Sequence, residues 1–372
     1  MKLSCPAREL ARALDSVVHV VRNRPVQPVL GYVLMEAEAG RLALTATDLE
    51  VGVRRALSVE VAAEGAVAAP ARLLAELAAA LPDARVTLEA AGNALVLTCG
   101  RFVTSLCTLP AGEFPPGLQP EEVDRLRLPV EALLRAVEQV RPALSTDTGR
   151  PVLTGMLFRL EAGCLQLLAT DGHRIAMRRL AGVEGELNAS LVVPAAALAQ
   201  LPRVFRDLAG ELEILASAAR SQIFFRCGGS EVASRLLPGE FPDVERVLPK
   251  EYPASARLAR EDLIKTARTV ALFADGGARA VRLRCQAGSV LLTAEADAGD
   301  ARAELRSQLT GDEFQVAFNG RYLVDALTAM DGDEVELRCA GPLAPGLIRG
   351  AGSDECFHVI MPVRLEPPAG RR

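Results

Sequence analysis

The chain has 372 residues, of which 50% are hydrophobic, 24% charged and 4% aromatic, with no Trp and a formal net charge of −5. That length suggests two to four domains of roughly 100–200 residues each, with a packed core rather than wholesale disorder. The scarcity of aromatics argues against a base-stacking surface. The negative charge argues against a generally DNA-sticky one, but not against basic groups gathered on a single face.

The N-terminal stretch MKLSCPARELARALD places Glu9, Arg12 and Asp15 where a secretion signal needs an unbroken apolar run, and no segment approaches 18 uncharged apolar residues. The eight Cys are scattered without CxxC spacing, which points to a reduced, cytoplasmic chain with buried thiols, without disulfides and without a metal site. Apolar Leu10, Leu14, Val17, Val18 and Val21 recur at helical spacing and predict a first helix over 7–21.

Residues 28–57 read PVLGYVLMEAEAGRLALTATDLEVGVRRAL, and residues 151–180 read PVLTGMLFRLEAGCLQLLATDGHRIAMRRL. The offset is 123 residues both from Pro28 to Pro151 and from Asp48 to Asp171. A fainter third copy spans 279–305. Between and after these blocks fall predicted helices at 70–81, 129–141, 194–208, 260–273 and 319–330. Pro70 and Pro194 suit a helix's first turn, and Pro202 should kink or end the helix begun at 194. Each unit closes on a strand running into Leu-Pro or Met-Pro, at 106–115, 235–242 and 360–365. The pattern predicts an α+β chain of three tandem similar domains, each a helix, strands, a second helix and more strands. Their expected bounds are 1–120, 121–249 and 250–366, followed by a tail at 367–372.

Basic residues lie on these helices: Arg8 and Arg12 at a spacing of four, Arg203 and Arg206 at three, and Arg72, Arg135, Arg141, Lys265, Arg268 and Arg321. On any one helix this reads as a solvated face. In three copies within an acidic chain, it suggests a basic lining around an axis. Asp171-Gly172, between LQLLA and IAM, reads as a two-residue hairpin rather than as half of an acid/base pair with His173. With three His, no HExxH, no glycine-rich phosphate loop and no calcium-loop spacing, neither metal, nucleotide nor other cofactor is expected.

ATDGHR (169–174), GMLF (155–158), the Leu-Pro-x-x-x-Phe-Pro pattern, FPDVERVLP (241–249) and VIMPVRL (359–365) resemble, in order and spacing, the bacterial beta sliding clamp family, the beta subunit of DNA polymerase III. The resemblance implies three clamp domains, each with two inner helices and outer antiparallel sheets, and a head-to-tail homodimer forming a closed six-domain ring. It implies a non-catalytic processivity factor that encircles duplex DNA without reading sequence. Implied partners are the DNA polymerase III catalytic subunit, the clamp loader, and other polymerases and repair proteins bearing short clamp-binding peptides; no membrane is implied.

The family's peptide pocket maps onto Arg150, Leu153, Thr170, Gly172, His173, Arg174, Ile175, Pro242, Arg246, Val247, Val359, Ile360, Met361, Pro362, Val363 and Arg364. Leu153, Ile175, Val247 and Met361 are suited to an apolar cup, with Arg150, His173 and Arg246 as rim donors. DNA contact is expected at Arg24, Arg72, Arg135, Arg203, Lys265 and Arg268, and the dimer seam at Arg101, Thr104, Leu106, Leu272, Asp297, Asp300 and Glu304. Three features depart from the family. Ala195 and Ala196 stand where it often carries basic residues, so no DNA contact is carried over there. Thr104 replaces an aromatic seam residue of some members, which moves the expected contact toward Leu106. EPPAGRR runs past the usual family end, beside the pocket strand. Two rival readings are an enzyme using Asp171 and His173, which lacks a third orienting group, and a protein-binding scaffold that ignores DNA.

Overall fold

The computed structural model describes residues 1–119, 123–161, 163–186, 190–217, 219–249, 251–274 and 279–364. The tail expected at 367–372 and the junction residues 120, 121 and 250 lie outside these. The chain forms two compact units, Met1–Leu134 with Val183–Pro238, and Arg135–Gly182 with Gly239–Arg372.

Seven α-helices occur among the described residues: α1 (Ala7–Val18), α2 (Ala71–Ala80), α3 (Val130–Val140), α4 (Ala195–Leu198), α5 (Leu201–Phe205), α6 (Arg260–Ala271) and α7 (Gly320–Ala329). α1 buries Leu10, Ala13, Leu14 and Val17, the i, i+3, i+4, i+7 stripe of an amphipathic helix. It stops three residues before the expected Val21, because Val20 and Val21 donate to Val17 and Val18, three residues back. Pro70 and Pro194 stand one position earlier than expected, at the N-cap. The helix expected over 194–208 is broken at Ala199–Gln200, and Pro202 opens the second piece from its first turn. Pro202 has no N–H to give to the carbonyl of Leu198, so the break falls ahead of it.

In the first unit a ten-stranded sheet contains Tyr32–Glu38, Arg41–Thr47 and Val51–Ser58 from the first copy. Val51–Ser58 pairs antiparallel with Ser230–Arg235, with Gly52 opposite Ala233. A separate five-stranded sheet runs Glu60–Ala63, Lys2–Pro6, Arg85–Ala91, Ala94–Cys99, Phe102–Cys107. The second unit repeats the scheme. Gly155–Glu161, Cys164–Thr170 and Arg174–Ala181 lie in order, and the last pairs with Cys356–Ile360, Ala176 opposite His358. Its four-stranded sheet runs Gly299–Arg306, Ser289–Ala296, Ala280–Gln286, Phe314–Asn319. The middle copy thus gives one half-sheet to each unit, and the units cut through it rather than between copies.

The second unit's core is aliphatic around Phe318, with Leu263, Leu283, Leu292, Leu323 and Leu337, as the lack of Trp requires. Gly346 is fixed by this packing, since a Cβ there would lie 2.3 Å from the Phe318 ring. Gly346 pairs with Ile360, so the same contact seats the strand that leads into Met361.

Candidate functional site

The loop joining Cys164–Thr170 to Arg174–Ala181 is three residues long, Asp171–His173, and not the two-residue hairpin expected from Asp-Gly. Side chains hold it open. The Thr170 hydroxyl donates to the carbonyl of Arg174 at 2.7 Å and accepts from Gly172 N. Asp171 Oδ1 accepts from the backbone N–H of His173 at 2.9 Å and of Arg174 at 3.0 Å. Gly172 has φ +91°, a conformation natural to glycine, and Arg150 Nη1 would lie 3.4 Å from a Cβ placed there. The strand Cys356–Ile360 continues past this loop, with Met361 N donating to His173 O at 2.9 Å and Val363 N to Ala317 O at 2.8 Å.

Arg174 anchors the loop from below. It is buried, its Nε is 3.0 Å from Asp171 Oδ2, its Nη1 is 2.7 Å from Asp325 Oδ2, and its guanidinium lies 4.2 Å from the centre of the Tyr322 ring. Asp171 spends Oδ1 on two backbone N–H groups and Oδ2 on Arg174, so it shapes the loop and its guanidinium anchor rather than orienting the His173 imidazole. This removes the Asp171–His173 acid/base reading. Tyr322 and Asp325 on α7 were not anticipated. Their signal was the spacing of three within NGRYLVDAL, where the Asn319 side chain caps the helix by accepting from Arg321 N and Tyr322 N.

The sixteen mapped pocket positions all fall in this unit. Thr170, Ile175, Val359 and Ile360 are buried, as is Leu153 at 5% exposure, so Leu153 and Ile175 contribute floor rather than open surface to the expected cup. Apolar surface is offered by Val247, 45% exposed, and by half-buried Met361, Pro362 and Val363, with exposed Pro242 alongside. The short helix Val244–Val247 is tied to Gly155–Glu161 by Arg159 and Glu245 at 2.8 Å. Gly172, His173 and Arg364 are exposed, and the rim guanidiniums Arg150 and Arg246 are exposed with Asp147 and Asp243 beside them.

The first unit contains the counterpart loop, Asp48–Glu50, with the same Thr47 and Asp48 bonds and the same backbone bond, Arg235 N to Glu50 O at 2.9 Å. Yet Glu50, Gly52 and Arg235 stand where the second unit has His173, Ile175 and Met361. An ion pair replaces the apolar groups, since Arg235 and Glu50 lie 3.8 Å apart.

Beneath the second-unit strand, His358 is buried and its Nε2 donates to the carbonyl of Gln139 at 3.0 Å. Gln139 Nε2 in turn donates to Asp331 Oδ2 at 2.7 Å. Burial would raise Asp331, but hydrogen bonds from Arg135 and Gln139 hold it below its ordinary value. Burial pushes the His358 imidazole from 6.5 down to about 4. The unfolded chain therefore binds the extra proton first. The neutral imidazole's contribution is full above pH 6.5 and is lost as pH falls through about 4. It amounts to roughly 3 kcal/mol at most. Urea midpoints should fall between pH 7 and pH 4.5 in the wild type and fall less in His358→Gln; an equal fall in both would contradict the assignment.

Among the basic candidates, Arg24 is exposed in the loop after α1, and Arg72 is exposed at the start of α2, donating to Val21 O at 2.7 Å. Arg203 on α5 and Arg268 on α6 are exposed; Lys265 is exposed 3.4 Å from Glu261. Arg135 departs from the expectation of a phosphate contact: Asp331 and Glu138 both hold its guanidinium.

Among the seam candidates, Leu106 is corrected. It is 5% exposed within its own sheet, opposite Leu95, and is core rather than interface. Phe102 and Val103, at 44% and 62% exposure, are the apolar residues that this edge strand presents, beside exposed Arg101 and half-buried Thr104. In the second unit Leu272 is 81% exposed at the end of α6, and Phe273 lies 3.9 Å from the Cβ position of Gly299, at the start of the edge strand. Asp297, Asp300 and Glu304 are exposed as expected, but Arg302 and Arg306 alternate with Asp300 and Glu304 on one face of the strand, so this edge is mixed rather than acidic.

No group of three or more His, Cys, Asp or Glu among the described residues is arranged to hold a metal, and none of the helices is long and apolar enough to cross a membrane. Family models of the DNA polymerase III beta subunit match in order: the N-terminal domain over 1–119, the central domain over 127–243 and the C-terminal domain over 245–364. The beta sliding clamps of Caulobacter vibrioides and Streptomyces coelicolor are 31% and 32% identical, over 98% of this chain and all of each relative. The crystal structure of the Pseudomonas aeruginosa sliding clamp bound to griselimycin superposes with a TM-score of 0.92 at 29% identity, covering 98% of this chain and all of that one. That of the Bacillus subtilis clamp shares the fold, with a TM-score of 0.90 at 24% identity. Three tandem matching domains and full-length relatives place the chain in the DNA polymerase III beta subunit family, the non-catalytic DNA sliding clamps that act as processivity factors.

Proposed function

We propose that two copies of this chain close head to tail into a ring around duplex DNA, and that each copy offers one peptide site to the replicative polymerase, the clamp loader and other replication and repair proteins. The observation that carries the ring is a pair of sheet edges, one in each unit, that have no strand partner among the described residues. Phe102–Cys107 ends one sheet and Gly299–Arg306 ends another, and exposed apolar residues flank each, Phe102 and Val103 on the first, Leu272 and Phe273 beside the second. A long edge strand with apolar neighbours invites pairing. Because the two edges differ, the contact is heterologous, and closure after two copies gives a ring instead of a filament.

DNA is held topologically. Arg24, Arg72, Arg203, Lys265 and Arg268 supply exposed cations on helices and an adjacent loop of a chain with net charge −5, suited to phosphates and lacking base-reading groups. Leu or Phe anchors of an extended peptide are received by Val247, Met361, Pro242 and Val363 over a floor of Leu153 and Ile175, with Arg150, His173 and Arg246 at the rim. Eight free cysteines, most of them buried, fit a reducing cytoplasmic setting. Light scattering at micromolar concentration is expected to give the mass of two chains; a single-chain mass would overturn the ring.

A further inference from the structure

Asp325 belongs to no group assigned above. It lies on α7, about 150 residues from the loop it contacts, and it is half-buried. Its Oδ2 is 2.7 Å from Nη1 of Arg174, whose Nε is spent on Asp171. Arg321 Nε approaches the same oxygen only at 3.9 Å, and its side chain is 74% exposed, so it competes weakly.

Arg174 therefore has two carboxylates and an aromatic face holding one guanidinium. Asp171 opens the loop that Arg174 closes at the start of its strand, and moves with it. Asp325 is the partner that fixes the loop to a rigid helix, whose own N-terminus is capped by Asn319 two and three residues before the backbone donors it satisfies. The main chain of that loop carries Gly172 and His173 and supplies the carbonyl that receives Met361 N. Asp325 thus bears on both sides of the mapped cleft, on the loop through Arg174 and on the Met361 strand through the loop.

We infer that Asp325 is a positioning residue for partner-peptide binding: it acts through Arg174 to hold the Asp171–His173 loop in the peptide-receiving conformation. This rests on the pocket reading above. Losing the charge should free the guanidinium to swing between Asp171 and solvent. The loop then samples conformations that do not bind, which weakens peptide affinity without touching the peptide.

The test uses the full-length protein and fluorescence anisotropy with a labelled pentapeptide carrying Leu and Phe anchors. Asp325→Asn keeps the shape and removes the charge, and should weaken binding about tenfold, the loss of one charge-assisted hydrogen bond. Asp325→Glu should recover part of it. In an Arg174→Ala background, Asp325→Asn should add nothing further, because the relay is already cut. Solution mass should stay that of the wild type in each variant. Unchanged affinity in Asp325→Asn, or full additivity with Arg174→Ala, overturns the inference. If Met361→Ala and Arg174→Ala also leave affinity unchanged, the pocket reading itself has failed; if they weaken it while Asp325→Asn does not, only the positioning role falls.

Discussion

A Leu272→Asp chain is expected to run as a monomer at concentrations where the wild type runs as two chains. Leu272 is 81% exposed at the end of α6, one residue from Phe273, which packs beside the start of the Gly299–Arg306 edge. The proposed seam would bury this exposed aliphatic side chain together with Phe273. A carboxylate buried there without a partner costs roughly 3–5 kcal/mol per seam. A ring has two seams, so dissociation should be complete over the micromolar range. Val103→Asp on the opposite edge should do the same, whereas Leu106→Asp should unfold the first domain, because Leu106 is already core. Thermal unfolding separates the cases: Leu272→Asp and Val103→Asp should keep the unfolding transition of a folded monomer. A dimer that survives both exposed-edge substitutions would place the seam elsewhere.

Peptide affinity should fall by roughly 2 kcal/mol or more when Val247 and Met361 are both replaced by Ala, from lost apolar burial alone. Leu153, by contrast, is only 5% exposed. Its truncation would leave a cavity costing about 2–5 kcal/mol in the fold and would confuse binding with stability. The double variant should remain dimeric and still be loaded onto DNA less well than the wild type, since the loader is expected to use the same site. Binding of polymerase-derived peptides as tight as that of the wild type would remove the pocket from this position.

The threefold organisation was legible because the repeat is written in apolar periodicity and turn residues, both local signals. The matching 3-10 turns at Pro28–Gly31 and Pro151–Thr154 and the twin Thr-Asp loops recur at the offset that the sequence predicts. What failed depended on partners distant in the chain. Arg135 read as a free cation until Asp331, 196 residues on, was found to hold it. Leu106 read as seam because the family resemblance, with Thr104 in place of an aromatic, moved the contact toward it, and a resemblance does not say which side of the strand faces the core. Asp171-Gly172 read as a two-residue turn, whereas the hydroxyl of Thr170 and the carboxylate of Asp171 stabilise a wider loop. Asp325 and Tyr322 show in the sequence only as a spacing on one helix, and the loop that they meet is unknown until the fold is.

Loading the ring onto nicked circular DNA and following it by gel filtration, before and after linearisation, tests the topological claim most directly. Direct phosphate contacts are salt-dependent, since each releases a counterion. Arg24→Ala with Arg72→Ala should therefore lower loading while leaving already loaded rings in place. On the circle, retention should persist at high salt, because escape requires a seam to open. After a single cut, the protein should leave by sliding off the ends. Equal loss from circular and linear DNA, or a marked preference for one base sequence, would contradict a clamp that holds DNA by enclosure.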